Sequence, residues 1–193
     1  MARPRNFNEN QVLDRAIDVF WEKGYHATSY EDLVNRMGIN RASMYNTFGD
    51  KHQLYIQALQ RYREKSRQQF DRWRESESSI QETIQMILNE AVHECVSDSQ
   101  RKGCMVVNSA TELGPSNTEI AEIIRENQQQ VESVLSELFT RAQQRGEIAA
   151  DLKPEALARF YFNTFSGLRV MGRANPDATV YRDVVDVALR VIE

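Results

Sequence analysis

Apolar side chains recur every third or fourth residue through almost the whole chain, and no stretch alternates convincingly with period two. That pattern confines the chain to an all-α architecture, in which each stripe is buried on other helices. The helix ends are written in the punctuation. Asn8 with Gln11 makes a capping-box pattern ahead of Val12, Leu13, Ala16, Ile17 and Phe20, and Gly24 stops this helix. Thr28-Ser29-Tyr30-Glu31 is a second start signal, with Thr28 as cap and Glu31 as its partner, for a short helix to Met37. Gly38 breaks that helix, Asn40 caps another short one through Phe48, and Gly49-Asp50 ends it. Lys51 opens a long helix to about residue 74, with Leu54, Ala58, Leu59, Tyr62, Phe70 and Trp73 inward.

The polar stretch 75–79 is the best module boundary. Beyond it, helices are expected over about 79–96, 103–112, 118–145, 154–174 and 178–192, with Pro154 in a first turn and Pro176-Asp177 breaking the chain before the last. The net charge of −4 argues against nucleic acid only if taken globally. Residues 1–67 hold 11 lysines and arginines against 8 acidic residues, and the remainder holds 13 against 20. A basic first third on an acidic body is what a separate nucleic-acid module looks like. No apolar run reaches the roughly 18 residues of a membrane span. The N-terminus has no signal-peptide core, and Cys95 and Cys104 make no disulfide framework, so a reducing cytoplasm is the expected compartment.

Two short helices joined at a glycine form a motif that can present the second helix to the major groove of DNA. Leu33, Met37, Ile39 and Met44 lie where such helices pack, with Gly38 in the turn. The exposed face of the second helix then carries Arg41, Ala42, Ser43, Asn46 and Thr47, short or cationic groups suited to base edges and phosphates. Thr28 and the first amides of the preceding helix make a phosphate site, with Ser29 beside it.

The run Phe20-Trp21-Glu22-Lys23-Gly24-Tyr25-His26-Ala27-Thr28-Ser29, and the run Gly38-Ile39-Asn40-Arg41-Ala42-Ser43-Met44-Tyr45-Asn46-Thr47-Phe48-Gly49-Asp50-Lys51-His52-Gln53-Leu54, resemble the signature of the TetR family of transcriptional regulators. The resemblance covers about residues 8–60. It implies a dimer that binds a palindromic DNA operator as a repressor and is released by a small-molecule or thiol-reactive effector. It further implies that Tyr45 contacts the DNA backbone, Lys51 binds phosphate and Thr28 both caps and meets phosphate. Many members carry His or an aromatic where this chain has Thr47. The implied domains are a DNA-binding domain at 1–50 and an effector and dimerisation domain at 51–193, linked by helix 51–74.

In the body, the last two helices look like a four-helix dimer interface, with Leu157, Tyr161, Leu168, Val180, Val184, Val185, Ala188 and Val191 on it. Helix 118–145 has a stripe of Ile120, Ile124, Val131, Leu135, Leu138 and Ala142, interrupted by Asn127 and Gln128. Asn127 is therefore an effector candidate, together with Trp73, Met86, His93, Phe162, Phe165 and Arg169. Gly103-Cys104-Met105-Val106-Val107-Asn108 resembles the start of the regulatory core in a branch of the family where the cysteine senses electrophiles or oxidants, which adds Cys104 and Asn108. The alternative is a helical-bundle enzyme or adaptor with an incidental corner. Glu90-Ala-Val-His93 is half of a di-iron motif, but no second copy exists, and no catalytic residue, metal site or cofactor is expected.

Overall fold

The computed structural model describes residues 7–174 and 177–193, so Pro176 lies outside the described residues. Among them the chain forms α1 (Glu9–Lys23), α2 (Tyr30–Met37), α3 (Arg41–Phe48), α4 (Lys51–Arg74), α5 (Ile80–Ser97), α6 (Met105–Glu112), α7 (Thr118–Gln144), α8 (Pro154–Met171) and α9 (Ala178–Leu189), with a single 3-10 turn at Arg190–Ile192 and no strand. The helices fall into two compact units, the first ending at Lys65 and the second being Ser66–Glu193, and α4 belongs to both. No helix among the described residues is long and apolar enough to cross a membrane.

In the first unit the local signals decide the helix ends. Asn8 Oδ1 accepts the Gln11 N–H at 3.2 Å, and Asn40 Oδ1 accepts that of Ser43 at 2.8 Å. Asp50 and Gln53 cap the start of α4 reciprocally, at 2.8 and 3.2 Å. The start of α2 differs from expectation by one residue. Ser29, not Thr28, is the cap, and its capping box uses Asp32 rather than Glu31. Thr28 is buried instead, and its hydroxyl donates to Gly24 O, closing the turn after α1. At Gly38, φ is +71°, a left-handed conformation that favours glycine, and Arg15 Nη1 donates to the Met37 carbonyl beside it at 3.2 Å. The core gathers Val12, Ala16, Ile17, Phe20, Leu33, Met37, Met44, Phe48, Leu54, Ala58 and Leu59, all buried. Each of these side chains larger than alanine contributes about 1.5–3 kcal/mol relative to exposure. Tyr55 is also buried, its ring edge-on to Phe20. Asp14 on α1 receives Arg61 Nε at 2.6 Å and Lys65 Nζ at 2.7 Å from α4. The Arg61 guanidinium, helped by Lys65, holds the Asp14 carboxyl down at about 2.

In the second unit, α5, α7, α8 and α9 enclose one core, to which the last turns of α4 add Phe70 and Trp73. A Ser79–Glu82 capping box starts α5, and Pro154 sits in the first turn of α8. The Tyr161 ring stacks on Phe139 at 5.3 Å, and its hydroxyl donates to Ala188 O at 2.7 Å, tying α8 to α9. This packing corrects the expected dimer stripe. Leu157, Tyr161, Leu168, Val185 and Ala188 are buried in the chain's own core. Helical geometry then turns Val180, Val184 and Val187, at i, i+4 and i+7, to the opposite side of α9, where all three are exposed, as is Val191 in the 3-10 turn that follows. Phe160, Val170 and Met171 are likewise exposed on α8. On α7, Gln128 is not on the buried face: it is exposed and donates to Glu132. The buried row there runs through Ile120, Ile123, Val131, Val134, Leu135, Leu138, Phe139 and Ala142.

Candidate nucleic-acid interface

α2 and α3 are clamped together by Leu33, Met37 and Met44, none of which retains any exposure. With that face of α3 turned inward, the opposite face has to carry Arg41, Ala42, Tyr45 and Asn46, and all four are exposed. Ser43 and Thr47 lie at the edges and are half-buried. Ile39, in the turn, is also half-buried.

The cationic groups of this face rest on aromatic rings. The Arg41 guanidinium lies 4.4 Å from the Tyr30 ring centroid and 5.7 Å from that of Tyr45. The Tyr30 and Tyr45 rings are stacked, 5.6 Å apart and 24° from parallel. Lys51 Nζ lies 4.5 Å from the Tyr25 ring, and the Lys51 N–H donates to the Tyr30 hydroxyl at 3.4 Å. A hydrogen bond between the two tyrosine hydroxyls raises the pKa of Tyr30, with burial adding to it. The same bond, followed by one from Arg41, lowers that of Tyr45. Pattern reading passed over Tyr25 and Tyr30, whose only signal was aromatic residues flanking a helix start in a basic segment.

Thr28 takes no place on this surface, since its buried hydroxyl is engaged by Gly24 O. Ser29 is exposed, but its N–H and hydroxyl both donate to Asp32, at 2.9 and 2.8 Å. Asp32 in turn pairs with Lys23 at 2.5 Å, and that bond together with the Ser29 donors holds its carboxyl far below the usual range.

The effector candidates of the second unit fall into distinct places. Met86 and His93 line an open groove of about 510 Å³ with Gln69, Arg72, Asn89, Glu90 and Glu94. Glu90 accepts from Trp73 Nε1 at 3.1 Å and from Gln69 at 2.8 Å. Glu94 accepts from Arg169 at 2.6 Å, and the Arg169 guanidinium lies 4.0 Å from the Phe165 ring, which meets Trp73 edge-on. Trp73 and Arg169 are thus bonded to two carboxylates of the groove that Met86 and His93 line, and Phe165 packs between Trp73 and Arg169. Cys104 and Asn108 lie apart at the start of α6, which opens two residues later than expected, at Met105. There Asn108 Nδ2 donates to Lys102 O at 2.8 Å. Phe162 packs half-buried against the core, and Asn127 is half-buried on α7. Cys95 is buried against Leu168 O, and burial pushes its thiol pKa up.

Two family models match the chain: "Bacterial regulatory proteins, tetR family" over residues 12–58, and "Tetracyclin repressor-like, C-terminal domain" over residues 81–188. The chain belongs to the TetR family. It is a DNA-binding transcriptional regulator of a family that acts as dimers, and not an enzyme. Among its TetR relatives, an uncharacterised HTH-type transcriptional regulator of Bacillus subtilis, YezE, is 33% identical over the full length of both chains. The HTH-type transcriptional repressor ComR of Escherichia coli is 28% identical, covering 98% of this chain and 91% of its own. The solved structure of a cysteine-substituted CifR, a TetR family regulator complexed with a 26-base-pair operator DNA, is 30% identical, covers 100% of each chain and has a TM-score of 0.87.

Proposed function

We propose that the chain is a cytoplasmic repressor whose α3 enters the major groove, with Arg41, Ala42, Ser43 and Asn46 facing the bases. Tyr45 and Lys51 hold the phosphate backbone, with Ser29 and Thr47 at the margin. The observation that carries this reading is the exposed face of α3, polar and cationic, set over a fully buried Leu33–Met37–Met44 clamp. On this reading, residues 1–50 form the DNA-binding domain and 51–193 the effector and dimerisation domain, with α4 linking the two. The dimer forms through the outward faces of α8 and α9, namely Phe160, Val170, Met171, Val180, Val184, Val187 and Val191. Seven exposed apolar residues on two adjacent helices and the 3-10 turn after them are what an interface between subunits requires. A two-fold dimer presents two copies of α3 to the half-sites of a palindrome.

Release is allosteric: an effector favours a conformation in which the two copies of α3 no longer fit the half-sites. The groove lined by Met86 and His93 is the favoured effector neighbourhood, with Trp73 and Arg169 behind it on Glu90 and Glu94 and Phe165 between them. Burial of Cys104 favours a small molecule over a thiol-reactive effector, since reactive thiols need access.

The test is a binding titration, from 50 to 200 mM salt, against the chain's own upstream DNA and a random duplex. The two copies of Lys51 supply two phosphate-neutralising cations per dimer, for a log–log slope of about −1.8 or steeper and a loss of about tenfold or more. The reading predicts that slope together with a preference for the native segment. A flat salt response, or equal affinity for both duplexes, refutes it.

A further inference from the structure

Tyr30 opens α2 and is only half-buried, yet it meets three parts of the proposed DNA face at once. Its ring lies under the Arg41 guanidinium at 4.4 Å and beside the Tyr45 ring at 5.6 Å, and its hydroxyl accepts the first N–H of α4 at 3.4 Å. The manner in which Arg41 is held matters. Other arginines of the first unit are held edge-on by oxygen: Arg15 by Met37 O, Arg36 by Glu22 and Arg61 by Asp14. Those bonds consume the planar N–H groups that read bases and phosphates. Stacking on a ring engages the face of the guanidinium, so that beyond the donor shared with the Tyr45 hydroxyl its planar N–H groups are not consumed by a carboxylate or carbonyl. A long side chain on an exposed helix face otherwise samples many rotamers, and ordering it on binding costs affinity.

We propose that Tyr30 is a positioning residue for DNA recognition, its ring holding the Arg41 guanidinium in the orientation that α3 presents to the duplex. Through it, α2 takes part in operator selection without itself reading a base. The proposal rests on the assignment of Arg41 to the DNA face, and the test keeps the two separable.

The probe is a duplex selected from a randomised pool by the wild-type protein, and dissociation constants are measured for the full chain. Arg41→Ala alone tests the underlying assignment and is expected to weaken binding tenfold or more. Tyr30→Leu, close in volume but without a ring, is expected to weaken it roughly two- to sixfold, the size of one exposed cation–π contact. Tyr30→Phe, which keeps the ring, recovers most of that loss. In the Arg41→Ala background, Tyr30→Leu has no further effect. If Tyr30→Leu costs the same with and without Arg41, or costs nothing while Arg41→Ala costs tenfold, the positioning role is overturned and the DNA face stands. If Arg41→Ala costs nothing, the assignment falls and the proposal with it. Should Tyr30→Leu fail to fold by circular dichroism, the free wild-type protein still decides. The δ-methylene protons of Arg41 then show an upfield ring-current shift in NMR spectra, and its absence overturns the proposal.

Discussion

Two aspartates on the outer face of α9 should take the dimer apart while leaving each subunit folded. Val184 is 40% and Val187 62% exposed in the isolated chain, so each has about half its surface left to bury. Burying the remainder of a valine is worth about 1 kcal/mol, from the roughly 1.5–3 kcal/mol of a fully buried aliphatic side chain. Two-fold symmetry counts each substitution twice, so the double variant Val184→Asp/Val187→Asp forfeits about 4 kcal/mol of apolar burial. Four carboxylates brought together near the axis add repulsion and desolvation on top. The dimer dissociation constant should therefore rise by about a thousandfold or more. Sedimentation velocity over a dilution series reads this directly, with far-UV circular dichroism confirming unchanged helicity. The inward Val185, 4% exposed, is the control. Val185→Ala should lower the thermal midpoint through loss of core packing, yet leave the dimer constant within about threefold. A double aspartate variant that still sediments as a dimer at wild-type dilution, or a Val185→Ala variant that dissociates while folded, would refute the assignment of the two faces of α9.

Three other outcomes follow from the first unit. Gly38→Ala places a Cβ at φ +71°, 3.1 Å from Arg15 Nη1, and should cost about 1–2 kcal/mol in chemical denaturation; a variant as stable as wild type would contradict the turn. Thr28→Val keeps the volume but removes the hydroxyl bond to Gly24 O, and should destabilise by about 1 kcal/mol without changing the DNA affinity of the folded protein. A loss of DNA affinity in the folded variant would instead place Thr28 on the DNA. Asp14, held at about 2 against an ordinary 3.8, adds stability that is fully present above pH 4 and lost as pH falls towards 2. Because its side chain is 36% exposed, solvent screening leaves about 1 kcal/mol or less, and Asp14→Asn should flatten that acid limb in a pH series of denaturation midpoints.

Most of the first unit was legible in the sequence because its helix ends are fixed by short-range chemistry. Asn8 and Asn40 cap where the pattern places them, since each acceptor reaches an amide three residues on. The start of α2 was ambiguous for the same reason. Thr28 and Ser29 are both hydroxyl residues with a carboxylate three positions later, and only the bond of Thr28 to Gly24 O settles which of them caps. In α9, valines populate both sides of the helix, so periodicity alone did not tell the protomer's own core from the face left outside. That choice depends on where Tyr161 and Leu157 of α8 sit. Met86 and His93, which lie off the buried row of Ile80, Ile84, Ile87, Leu88, Ala91 and Cys95 on α5, do line a groove, because an off-stripe residue on a half-buried helix faces outward. The role of Tyr30 left no periodic trace. Its partners lie 11 and 15 positions away, and the turn at Gly38 brings them together.

The central claim, that α3 reads sequence, is tested most directly by comparing two variants on a panel of duplexes carrying single base-pair changes in the selected operator. If α3 reads the groove, Asn46→Ala loses discrimination at one base pair in each half-site, a change of about 1–3 kcal/mol there, and keeps it elsewhere. Lys51→Ala weakens every duplex alike and lowers the salt slope by about 2 per dimer. Uniform weakening by both variants, with the discrimination profile intact, would contradict the account.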